Sequence, residues 1–137
     1  QREMNYQEIG LQYGIIVHKV ERGDKWWKVN GSDAYLNESA CAGRDEIWVG
    51  VYDNKDEEIA AFFHELGHCI TTNLKDFHHT EFDKFHMELD AWIVGLTEAY
   101  KYKYLMEPST FRYMVKCLES YIGREEREIK GFNTKEK

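Results

Sequence analysis

The sequence predicts an α+β domain: a short N-terminal β-sheet packed on a helical half. Three observations point there. The first half alternates short β-like runs with turn residues. The second half carries apolar residues at helical spacing. The length of 137 residues suits one domain and can bury a core without disulfide or metal staples. The expectation is therefore a single domain over residues 1–137.

The strands come first. Residues 12–20 (QYGIIVHKV) and 25–29 (KWWKV) read as strands, and Glu21-Arg22-Gly23-Asp24 reads as the hairpin turn between them. Residues 46–52 (EIWVGVY) alternate: Ile47, Val49 and Val51 would face one way, and Trp48, Gly50 and Tyr52 the other. Asp53 to Asp56 then supply turn and N-cap chemistry. A helix is expected from about Glu57 to Thr72, with Ile59, Phe62, Phe63, Leu66 and Ile70 on its core face. A second helix should cover about Lys84 to Met106, with Phe85, Leu89, Trp92, Ile93 and Leu96 apolar. Pro108 and Ser109 break it and start a third helix reaching about Gly123. The charged end, REEREIKGFNTKEK (124–137), reads as a frayed or mobile tail.

Composition narrows the partners. Apolar residues make up 42% and aromatics 15%, which separates the chain from disordered sequences. The net charge of −7 and pI near 5.4 give no basic face, so no nucleic acid is expected. The three cysteines are far apart and form no CxxC pair, which argues for reduced thiols. No apolar run is long enough for a membrane span. The opening QREMNYQE lacks the basic-then-apolar shape of a signal peptide. A cytoplasmic location is the expectation, with no membrane partner; nothing specifies an oligomeric state.

The chemistry lies in His64-Glu65-Leu66-Gly67-His68. His64 and His68 stand four apart on a helix, so both imidazoles leave one face, one turn apart. Two such nitrogens can reach a single zinc ion at about 2.0–2.1 Å each. Glu65 is placed to reach a water beside the metal and act as general base. Gly67 removes a side chain where another element must pack closely. Phe62, Phe63, Leu66 and Ile70 should bury the flank, while Ala60 and Ala61 clear space on the histidine side. A solvated helix face carrying the same residues by chance is the bland alternative.

A catalytic zinc needs a third protein ligand and an open position. The metzincin pattern would place a histidine at position 74, which is Leu74. The remaining candidates are His78, His79, Glu81, His86, Glu88 and Asp90. Glu88 is the expected ligand. With Ala91 and Gly95 it forms one helical stripe whose small residues allow close approach to the HELGH helix. His86 and Asp90 lie two residues either side, turned about 200° away. His78 and His79 read as a solvated loop, or as an alternative ligand or oxyanion donor. Tyr52, Tyr100, Arg112, Tyr113 and Tyr121 are further conceivable oxyanion donors.

HELGH with a glutamate twenty positions beyond its second histidine resembles the gluzincin metallopeptidases of the thermolysin type. Within that clan the chain looks most like the compact ImmA/IrrE family. The shared run is the strand Glu46 to Tyr52, a turn, the helix EEIAAFFHELGHCI, and Glu88-Leu89-Asp90-Ala91-Trp92, which is similar to the family's ExEA segment. Leu105-Met106-Glu107-Pro108 is similar to its later LMP-like turn. The resemblance covers about residues 30–110. It implies a zincin-like fold, zinc (Zn2+) held by His64, His68 and Glu88, and Glu65 as general base. It also implies a cytoplasmic protease whose protein or peptide substrate is a transcriptional regulator. Substrate would lie as an added strand beside the sheet, near Trp48, Gly50 and Tyr52. The competing expectation is a metal-containing module of peptidase fold that binds or regulates without cutting. The presence of Glu65 argues for the enzyme.

Overall fold

The computed structural model describes residues 4–19, 40–42, 45–71 and 81–135, without the side chains of 40–42, 81–82 and 123–135. In chain order the elements are α1 (Tyr6–Leu11), β1 (Ile16–Lys19), β2 (Ala40–Ala42), β3 (Glu46–Val49), α2 (Lys55–Thr71), α3 (Glu81–Lys101) and α4 (Pro108–Lys135). The architecture is mixed helix and sheet, α+β, with helix the larger share.

No sequence pattern announces α1, which is under two turns long. Asn5 caps it, its side-chain oxygen accepting from the Glu8 amide at 3.1 Å. Gly14, at φ 70°, turns the chain out of the helix, and the amides of Tyr13 and Ile15 both bond back to the Gly10 carbonyl. The strand expected from residue 12 therefore starts only at Ile16.

The sheet has the order β1-β3-β2. β3 is central, parallel to β1 (Ile16 opposite Glu46, Lys19 opposite Val49) and antiparallel to β2 (Ala40 opposite Trp48). The expected hairpin partner, 25–29, and its turn lie outside the described residues. The pairing that is described for β1 is a parallel one with β3. Ile47 and Val49 are fully buried, on the face the alternation assigned to the core. On the other face Trp48 stacks on its register neighbour His18, ring centroids 4.9 Å apart. β3 stops at Val49, not Tyr52, and Asn54 then caps α2 by accepting from the Asp56 and Glu57 amides at 2.8 and 3.2 Å.

Ile59, Phe62, Phe63 and Leu66 of α2 form the centre of the core with Ile47, Val49, Tyr6, Ile9 and Trp92. Phe85 and Leu89 are half-buried and lie outside it, and two further expected core residues are exposed. Ile70, in the last turn of α2, is 37% exposed, and Ile93 is 56% exposed because one residue beyond Trp92 swings about 100° to the outer side of α3. A buried carboxylate ties the N-terminal elements to α2. Glu58 accepts from Tyr6 Oη at 2.6 Å, from Lys55 Nζ at 2.8 Å and from Lys19 Nζ. Burial alone would raise its carboxyl, but these hydrogen bonds outweigh burial and hold it below the usual range.

α3 ends at Lys101, short of the expected Met106. Lys103 adopts φ 62°, and Tyr104 is buried with its hydroxyl donating to Asp56 Oδ1 at 2.7 Å. The Glu107 amide donates to the other Asp56 oxygen at 3.2 Å. This anchor on α2 wins over helical continuation. α4, by contrast, runs past Gly123 to Lys135 where a frayed tail was expected. Its last stretch is rich in strong helix formers, and their propensity offsets the roughly 1 kcal/mol cost of a helical glycine. Cys69 and Cys117 are not joined in disulfides. No helix among the described residues is long and apolar enough to cross a membrane.

Candidate metal centre

The contact between α2 and α3 builds the site. A Cβ placed on Gly67 would lie 1.9 Å from the Ala91 carbonyl oxygen, and one on Gly95 would lie 2.1 Å from that of Phe63. The two helices thus meet backbone to backbone at two glycines. Ala91 is one turn beyond Glu88, so this approach brings the Glu88 carboxylate against the histidine face of α2.

There, one oxygen of Glu88 meets both imidazoles. Its Oε2 lies 2.6 Å from His68 Nε2 and 3.3 Å from His64 Nε2. One ligand atom from each of the three residues can be chosen so that all lie within 4.8 Å of one another. Tyr121 on α4 donates to the other oxygen, Oε1, at 3.3 Å. Trp92, four residues beyond Glu88, lies flat on the His64 ring, centroids 4.2 Å apart and planes 7° from parallel. The imidazole plane is therefore fixed from one side and its Nε2 from the other. His64 Nδ1 lies 3.4 Å from Glu65 Oε2.

Electrostatics follow from this crowding. Burial by itself would push the His64 imidazole down, but its hydrogen bonds to Glu65 and Glu88 prevail and carry it up to about 9. For Glu88, burial would raise the carboxyl, yet the hydrogen bonds from His64 and His68 hold it far below the usual carboxylate range.

A cavity of about 300 Å³ opens beside it, bordered by His64, Glu65 and Glu88. His68 lies deeper, 6% exposed. Of the expected site residues, the structure brings together His64, His68 and Glu88, with Glu65 on the same cavity. His86 and Asp90 are exposed and turned away. His78 and His79 lie outside the described residues, as does the Glu81 side chain. Tyr52, Tyr113 and Tyr121 border the cavity; Tyr100 and Arg112 are exposed and do not border it. The sequence pattern marks Trp92 only as core and Tyr121 only as one of several conceivable oxyanion donors, not as a partner of Glu88. Trp92 was findable, since four residues from Glu88 is the same helical face. The pairing of Tyr121 with Glu88 was not, the two being 33 residues apart on different helices.

Two imidazole nitrogens and a carboxylate oxygen are the donor set of a catalytic zinc site, so these residues fit such an ion. Compared with known proteins, the chain matches no family model, no curated protein and no solved structure.

Proposed function

We propose that the protein is a zincin-like, zinc-dependent metallopeptidase that hydrolyses a peptide bond. One observation carries the reading: His64, His68 and Glu88, from two helices, converge on one point beside a cavity that Glu65 also faces. His64 and His68 would hold zinc through Nε2 and Glu88 through its carboxylate. When bound, zinc supplies Lewis acidity that polarises a carbonyl and acidifies an adjacent water. Glu65 accepts the proton of the attacking water and delivers it to the leaving amine. Trp92 keeps the His64 ring in plane, and Tyr121 keeps the second Glu88 oxygen engaged. The donor set suits zinc, and other divalent transition metals accept the same imidazole and carboxylate ligands. Following the family resemblance, we assign a cytoplasmic location and a protein substrate, a transcriptional regulator.

The test is Glu65→Gln. Zinc content should stay at one ion per chain while cleavage of a random peptide library, read by mass spectrometry, falls about a thousandfold. Full cleavage by this variant would remove Glu65 from the mechanism. A zinc-loaded native chain that cuts no peptide would remove the peptidase.

A further inference from the structure

The cavity extends along α2 away from the metal centre. Glu57, Ala60 or Ala61, and His64 recur at three and four residues, so they share one face of the helix. All four border the cavity, and Glu57 lies about 10 Å from His64 along the helix axis. The two alanines leave a floor with little side-chain bulk. Tyr52, Tyr113 and Leu118 supply walls.

Glu57 closes this end with a charge. Its neighbours in sequence are engaged: Asp56 by Tyr104, and Glu58 by Tyr6, Lys19 and Lys55. Among the described residues the Glu57 carboxylate has no ion-pair or hydrogen-bond partner. Among the described residues no lysine or arginine borders the cavity, and its carboxylates are Glu57, Glu65 and Glu88. Glu65 and Glu88 face His64, which leaves Glu57 the unmatched charge.

A slot with a small apolar floor, aromatic walls and a carboxylate at its far end suits a long side chain with a cationic tip. Its stem would lie on Ala60 and Ala61, and its head would meet Glu57. We propose that this slot selects a lysine or arginine flanking the scissile bond of the substrate, with Glu57 as the specificity-determining residue. The inference rests on the peptidase reading above.

Metal-chelating probes separate the two claims. Arginine hydroxamate and norleucine hydroxamate share the chelating group and differ in the tip of the side chain. Calorimetry on the zinc-loaded chain should show arginine hydroxamate binding at least about fivefold tighter. In Glu57→Gln the ratio should fall to about one. In Glu57→Lys it should invert, with glutamate hydroxamate becoming the tightest of the three. Equal affinities in the native chain, a ratio unchanged by Glu57→Gln, or no binding of either probe would each overturn the proposal. The random peptide library reports separately on cleavage. Cutting without enrichment of lysine or arginine next to the cut would overturn the selectivity and leave the peptidase standing. A ratio that holds in a chain that cuts nothing would overturn the peptidase reading and, with it, selection at a scissile bond, leaving only a slot that binds a cationic side chain.

Discussion

His64 carries a proton that the metal must displace. Its imidazole is raised from the ordinary 6.5 to about 9 in the folded, metal-free chain, whereas a zinc ligand must be neutral. Zinc uptake at pH 7.5 should therefore release about one proton from His64, and apparent affinity should climb with pH until about 9. Calorimetry in buffers of differing ionisation enthalpy measures this. The same shift sets a stability trend. Because the folded value lies above the unfolded one, the His64 contribution is complete below about 6.5 and vanishes as pH rises through about 9. Urea midpoints of metal-free protein should accordingly be lower at pH 9 than at pH 6.5, and His64→Ala should flatten that difference. Tyr121 acts on the same cluster through Glu88. Removing its hydroxyl in Tyr121→Phe should weaken zinc binding about tenfold while leaving the urea midpoint nearly unchanged.

At the scale of elements, the site depends on how closely α2 and α3 lie. Gly67→Ala would force a Cβ to within 1.9 Å of a backbone oxygen, and neither partner is a flexible side chain. The helices must separate, so we expect a loss of about 3 kcal/mol or more in a urea melt, together with loss of zinc. This packing was legible in the sequence, because Gly67, Ala91 and Gly95 announce close approach at helical spacing. Helix existence and the buried alternation of Ile47 and Val49 were equally legible. The end of α3 was not. It is fixed by Tyr104 reaching Asp56, 48 residues away, and no local pattern encodes such a contact. Nor was α1 legible: at six residues it is too short to show a period. The pairing of β1 also escaped, since strand pattern gives burial but not partner.

Over the whole molecule, core and site meet at Trp92, which belongs to the core and lies on His64, while most of the core is built from other residues. Phe62, Phe63, Leu66, Ile47 and Val49 pack without help from the histidine cluster, and Glu58 and Asp56 fasten α1, β1 and the start of α4 to α2. Chelation should therefore lower the melting temperature without unfolding the chain. Far-UV circular dichroism should stay within a few per cent, and the stability lost should follow the free zinc concentration, about 2.7 kcal/mol at a hundredfold excess over Kd. A chain that collapses to coil on chelation would mean the metal is a structural staple.

The flat contact between Trp92 and His64 gives the molecule a gauge of its own state. An indole lying against a protonated imidazole is a dim emitter, because the cationic ring accepts an electron from the excited one. Whatever takes that proton, whether alkali or an arriving ion, should alter the glow of this tryptophan. The occupancy of the centre is thus written in ultraviolet light, readable in the intact protein without a label.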